Sequence, residues 1–261
     1  MKLITPWLLA FCCIFTTSAY QLSLPPSAVS TALGGCLPTL SETDSRLSAN
    51  VTLLNLYGIP ELSHLQGQLY VKTPVVAIGL TARHFGLSGY GESAVGLGFG
   101  KKFSPFLSMA VRGYWIHIAW PSDAKPVNTG LLETEFFFHP HRKLTLGLHL
   151  FNLSFTSYKT LEGRFLLPVH FRMGCCYRFS DQLLASMELD KELYGSLGFH
   201  TGCQYSIAKR IDLRVGIELY TSLSPTGGIG IRFKRFICDI GCKYDWKLGL
   251  QSAIGLQFFL P

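Results

Sequence analysis

Charge is scarce in this chain. Only 15% of its 261 residues are Asp, Glu, Lys or Arg, against about 25% in ordinary soluble domains. The 23 basic residues outnumber the 16 acidic ones. They are scattered, with no Lys/Arg block and no basic helix, which argues against nucleic acid as a partner. Past the N-terminus there is no run of about 18 uninterrupted apolar residues, so a membrane-spanning helix is excluded. Gly96, Gly98 and Gly100 are not followed by a helical pattern, so they do not form a nucleotide loop. Even so, 48% of the residues are hydrophobic and 13% aromatic, and the mean hydropathy is positive.

Residues 1–19 read as a secretory signal, with cleavage near Ala19. Lys2 supplies the positive start, residues 7–15 a short apolar core, and Thr17-Ser18-Ala19 the small residues before the cut. Leu33-Gly34-Gly35-Cys36 has the local shape of a lipidation site. The segment before it, 21–31, is not hydrophobic, which disfavours that reading. An exported chain with a membrane-like composition and no spanning helix is best explained by a closed barrel, where every backbone N–H and C=O is paired between strands.

The side-chain pattern agrees. Ile211, Leu213, Val215, Ile217 and Leu219 fall on one face of a strand, and Asp212, Arg214, Gly216, Glu218 and Tyr220 on the other. Leu250, Ser252, Ile254, Leu256 and Phe258 alternate in the same way with Gln251, Ala253, Gly255, Gln257 and Phe259. Stretches of about ten residues suit a tilted bilayer crossing. The expected fold is therefore all-β: an antiparallel transmembrane β-barrel of 12–14 strands with an irregular N-terminal segment. Candidate strands fall near 64–72, 74–85, 91–103, 106–118, 130–139, 143–156, 167–178, 182–191, 194–206, 210–221, 227–235, 236–246 and 249–260. Bacterial single-chain barrels have even strand numbers, so this odd set implies a boundary error near its start. The expected organisation is 1–19 signal, 20–60 a segment that plugs or lines the opening, and 61–261 the outer-membrane barrel. Short and longer connections alternate, as periplasmic turns and outer loops do. Aromatics near strand ends, Trp115, Trp120, Tyr220 and Trp246 among them, suit interfacial girdles.

Parity assigns the charged residues Arg112, Glu133, Glu135, His149, His170, Arg172, Glu188 and Asp190 to the lumen. It adds His200, Asp212, Arg214, Glu218, Arg232, Lys234, Asp239 and Lys243. Signs are interleaved, whereas a selective pore favours a ring of one sign. The expectation is a largely closed, salt-bridged interior. Of the eight cysteines, Cys12 and Cys13 lie in the signal. Cys175, Cys203, Cys238 and Cys242 share the parity of apolar faces, Cys176 points the other way and Cys36 precedes the barrel. They read as small apolar residues in preference to bridges.

His139-Pro140-His141 reads as a turn before a metal site, and Gly86-Leu87-Ser88-Gly89 lacks the spacing of a nucleophile elbow. Barrel hydrolases need a Ser, a His and an orienting group near the lipid surface. Ser93 and His117 are far apart in the chain, and spacing alone does not unite them. The expectation is no enzyme, no cofactor and no metal.

Several strings resemble the FadL-like outer-membrane barrels, and within them the PorV/PorQ type associated with type IX secretion. They are Ala32-Leu33-Gly34-Gly35, the polar stretch 41–46 with Ser48-Ala49-Asn50, and Phe85-Gly86 through Gly89-Tyr90-Gly91-Glu92. Residues 97–104 with 107–111 also match that pattern. Val51 stands where that family has proline after asparagine. The resemblance covers about residues 30–118 and implies fold and compartment more than activity. It leaves two functions open. One is a component in protein export or surface attachment, with secretion-system or surface proteins as partners. The other is transport of a hydrophobic ligand, through an apolar pocket involving Leu37, Leu40, Phe137, Phe151 and Leu184. Outer-membrane lipid is the expected surrounding in both.

Overall fold

The computed structural model describes residues 27–36, 46–87, 90–120, 125–160 and 163–260. The strands are β1 (Leu47–Leu56), β2 (Ser63–Lys72), β3 (Ala77–Phe85), β4 (Gly91–Lys102), β5 (Leu107–Ala119), β6 (Val127–His141) and β7 (Leu144–Phe151). A small pair, β8 (Ser157–Thr160) and β9 (Gly163–Leu166), follows. Then come β10 (His170–Arg178), β11 (Leu183–Glu192), β12 (Leu197–Ile207), β13 (Ile211–Leu219), β14 (Leu223–Arg232), β15 (Phe236–Asp245) and β16 (Gly249–Leu260). A short helix, α1 (Ala28–Ala32), precedes them.

β1–β7 and β10–β16 form one closed antiparallel barrel of fourteen strands. Closure is by β1 against β16, in continuous register from Leu47↔Leu260 to Leu56↔Gln251. A ten-residue strand such as β1 rises about 34 Å, which at a tilt near 40° matches an apolar belt of about 25 Å. The outward row of β13, including Leu213 and Val215, is exposed, and the inward Asp212 and Arg214 are buried. Every described strand of the barrel wall is paired on both sides, so the oily exterior is suited to lipid.

Three boundaries differ from the sequence expectation. Leu47–Leu56 is a wall strand, so the barrel begins inside the segment 20–60 and the count becomes even. Its inward side chains Ser48 and Thr52 are buried while Val51 and Leu53 are exposed, the alternation of any other wall strand. β14 starts at Leu223, with Pro225 inside it. Proline is tolerated there because β15 pairs only from Thr226 onward, which leaves Pro225 with a ladder partner on one side alone, Ile217 of β13. Finally, β8 and β9 form a hairpin between β7 and β10.

Long connections gather at one end of the barrel and short turns at the other. At the long-loop end Phe85, Ala94, Tyr114, Ile116, Ile118, Leu131, Phe151 and Leu167 make one apolar cluster, which Tyr158 of the β8–β9 hairpin joins. The hairpin is tethered by Asn152, fully buried at φ 58°. Its side-chain amide donates to the Leu167 carbonyl (2.9 Å), and its Oδ1 accepts from the Thr156 N–H (2.9 Å).

Candidate functional site in the lumen

Residues 27–36 lie inside the barrel, against β13–β16. Ser27 caps α1, its hydroxyl accepting from the Ser30 N–H (3.4 Å). Small residues, Ala28, Ser30 and Ala32, form its buried face. The helix ends on Gly34 (φ 72°) and Gly35 (φ 86°), left-handed conformations that favour glycine. The wall beneath is also glycine. A Cβ at Gly216 would stand 2.5 Å from the Gly34 nitrogen, and one at Gly202 2.6 Å from the Leu33 carbonyl oxygen. A Cβ at Gly228 would stand 2.5 Å from the Ala32 Cβ, and one at Gly241 would meet the Ala28 carbonyl. Gly255 faces the Ala28 Cβ. Five consecutive strands thus supply a glycine track, and the backbone of this segment lies directly on the sheet.

Polar latches fix the segment. The Gly34 N–H donates to Thr226 Oγ1 (2.9 Å), whose hydroxyl donates to the Ala32 carbonyl (3.1 Å). His200 Nδ1 meets the Gly34 carbonyl at 2.6 Å, and the Arg172 guanidinium donates to the Gly35 carbonyl at 2.7 Å. Cys36 follows, 1% exposed. Burial pushes its thiol up to about 12, so it is neutral and unreactive at ordinary pH. A cavity of about 20 Å³, room for one water, lies between residues 27–29 and Asn50, Thr52, Asp239 and Gly255.

Three ion-pair networks occupy the rest of the wall. In the first, Arg112 reaches Glu133 (3.0 Å) and Glu135 (3.7 Å), and His149 Nε2 meets Glu133 at 2.6 Å. Arg83 adds a pair with Glu133 (3.9 Å) and donates to the Tyr114 hydroxyl (2.7 Å). In the second, Arg172 pairs with Glu188, and Asp190 lies between His170 (3.5 Å) and the Tyr220 hydroxyl (2.6 Å). Glu218 joins His200 (3.8 Å) and Lys243 (2.9 Å) close by. In the third, Asp212 accepts from Arg232 (2.7 Å) and Arg214 (3.3 Å), and Arg214 continues to Asp239 (2.6 Å). Each charge has an opposite neighbour, the condition under which buried ions persist. Glu133, Glu135 and His149 have the grouping of a metal site. The Arg112 guanidinium between the two carboxylates already supplies the positive charge there.

Of the sequence-assigned lumen charges, one is misplaced: Lys234 sits exposed in the β14–β15 turn, because the strand ends two residues earlier, at Arg232. Tyr220, which parity puts on the charged face and its position at a strand end suggests as a girdle residue, hydrogen-bonds Asp190 in the lumen. Of the five apolar residues proposed as a pocket, the three that are described, Phe137, Phe151 and Leu184, do not come together. Phe137 packs by Gly147 and Leu184 pairs with Arg178, both toward the short-turn end. Phe151 belongs to the long-loop cluster, and Leu37 and Leu40 lie outside the described residues. Sequence reading missed Arg83, Tyr114, Thr226 and the glycine track. Glycines at inward positions of successive strands were the available signal for the track. Ser93 and His117, distant in the chain, stand directly opposite each other on neighbouring strands of the outer wall.

A closed antiparallel barrel with an apolar exterior, an ionic interior and a segment seated on its inner wall is a transmembrane β-barrel. No protein-family model matches the chain, and no curated protein is similar to it. Among solved structures the fold is similar to the toluene transporter TodX of P. putida, with TM-score 0.66 and 10% identity over 91% of this chain and 99% of that one. A TodX deltaS2 variant, described as a monoaromatic hydrocarbon channel, gives 0.60 and 11% over 91% and 98%. A FadL homologue of Pseudomonas aeruginosa gives 0.59 and 12% over 91% and 95%. At these identities the likeness is one of fold.

Proposed function

We propose that this protein is an outer-membrane barrel that passes a small hydrophobic molecule, with residues 27–36 as the plug in its path. The carrying observation is the plug itself: a segment seated on glycine backbone by a few hydrogen bonds, and not woven into the sheet. The apolar cluster at the long-loop end would receive the solute before it meets the plug. The fold likeness to hydrocarbon transporters supports this reading. The test is uptake of radiolabelled toluene and of a long-chain fatty acid by cells whose own hydrophobic uptake barrel is deleted. Expression is expected to restore uptake of at least one. Uptake unchanged for both would refute the proposal.

A second reading, a PorV/PorQ-like component in protein export or surface attachment, is favoured by the paired charges that fill the interior, since docking needs no open path. It predicts a defined protein cross-linked to the barrel's outer loops in native membranes, and cells without uptake.

A further inference from the structure

Four outward-facing side chains form a row across β3–β6 near the long-loop end: His84↔Ser93, Ser93↔His117 and His117↔Asn128 are facing pairs. Their parity is opposite to that of the buried lumen residues Arg83, Glu92, Ala94, Ile116 and Ile118. The outer band of such a wall is mostly apolar, so a contiguous polar row on it stands out. Its members are joined. His84 Nδ1 lies 2.9 Å from Ser93 Oγ, and His117 Nδ1 lies 2.9 Å from Asn128 Oδ1. A serine bonded to one imidazole, beside a second imidazole held by an amide, has the parts of a nucleophile–base–orienter arrangement.

We propose that this row is an acyl-transfer site on the outer wall, cleaving fatty-acyl esters of membrane lipids. Its depth fits that substrate. Ser93 is the third residue of β4, about 7 Å along the strand from its long-loop end, nearer the rim of the wall than its middle, as the ester groups of a lipid would be. The next outward row toward the bilayer middle is Ala82, Val95, Trp115 and Gly130. Gly113 follows, where a Cβ would meet nothing within 4 Å. Small residues beside an exposed Trp115 make a shallow apolar bed for an acyl chain. Trp115 also stacks on His117, with ring centroids 5.9 Å apart, which limits that imidazole's rotation.

The chemistry balances with water as co-reactant. Ser93 Oγ attacks the ester carbonyl carbon while His84 Nδ1 takes its proton. The carbon–alkoxy bond breaks, the leaving alcohol takes that proton from His84, and the acyl group remains on Ser93. Water then attacks the acyl carbon, giving its proton to His117 Nε2. The Nδ1–H bond to Asn128 keeps that nitrogen unprotonated. The proton passes to the departing Ser93 oxygen, and the fatty acid leaves.

The test uses the full chain in detergent micelles, with folding checked by heat-modifiable gel migration. Wild type is expected to be labelled at Ser93 by a fluorophosphonate. It should also hydrolyse p-nitrophenyl decanoate with a burst, and release fatty acid from phosphatidylethanolamine mixed micelles. Ser93→Ala should lose all three, hydrolysis falling on the order of 10³-fold or more. His84→Asn should slow labelling on the order of 10²–10⁴-fold. His117→Ala should keep the burst and slow the steady state, which a merely structural role would not produce. Folded wild type that is not labelled, or hydrolysis undiminished in Ser93→Ala, overturns the site. Labelling without fatty-acid release overturns the lipid substrate.

Discussion

Replacing Gly216 with alanine tests how the plug is held. The new methyl would stand 2.5 Å from the Gly34 nitrogen, 2.6 Å from the Leu33 carbonyl carbon and 2.8 Å from the Thr201 oxygen, where ordinary contact begins at 3.4 Å. All three atoms are backbone, so no side chain can swing aside: residues 33–34 must retreat by about 1 Å, and the wall must give by a smaller amount at the Thr201 carbonyl. That retreat stretches the bonds from Gly34 to Thr226 and His200, now 2.9 and 2.6 Å, beyond useful length. Overpacking costs about 1–3 kcal/mol and each lost hydrogen bond about 1 kcal/mol, so docking should weaken by about 3–5 kcal/mol. Cys36 reports it. In a variant whose only thiol is Cys36, maleimide labelling at pH 8 should be slow in the parent. The docked thiol is buried and raised from 9.0 to about 12, which alone lowers the thiolate fraction about a thousandfold. Gly216→Ala should speed labelling by at least about a hundredfold. Gly113→Ala, the same change where a methyl meets nothing within 4 Å, should leave it unchanged. Equal rates in Gly216→Ala and the parent, or an equal rise in Gly113→Ala, would refute the glycine-track account.

Other outcomes follow from the same geometry. Because the docked Cys36 thiol ionises only near pH 12 and the released one near 9, docking should weaken as pH rises between those values, read as labelling that accelerates faster than thiolate chemistry alone predicts. Arg112→Met leaves Glu133, 1% exposed, without its nearest guanidinium, and should destabilise the barrel by about 3–5 kcal/mol in denaturant titration. Asn152→Ala removes the tether of the β8–β9 hairpin, so limited proteolysis should cut within 153–168 in the variant and spare the parent. Val215→Arg, on the exposed face at the middle of β13, should lower stability by about 2–4 kcal/mol in lipid.

The alternation of β13 and β16 was legible because each strand has one face toward lipid and one toward buried charge, so a single period of two runs its length. β1 obeys the same rule, yet Ser48-Ala49-Asn50 begins it with small polar residues and read as part of the preceding segment. The start of β14 was hidden by Pro225, whose tolerance depends on where β15 stops pairing, a fact of the sheet and not of the strand. The interleaved lumen charges were visible by parity, but their partners were not. Arg214 meets Asp239 two strands away, and Tyr220 reaches Asp190 across thirty positions. The row of His84, Ser93, His117 and Asn128 was invisible for the same reason: only register aligns it.

The most direct test of the barrel is oxygen and nickel-chelate accessibility of spin labels placed singly along residues 211–219 in reconstituted bilayers. Labels at 211, 213, 215, 217 and 219 should collide with lipid-dissolved oxygen, and those at 212, 214, 216 and 218 should be shielded from it, a strict period of two. Uniform accessibility along the strand, or nickel reaching the odd positions as readily as oxygen, would contradict a lipid-facing wall.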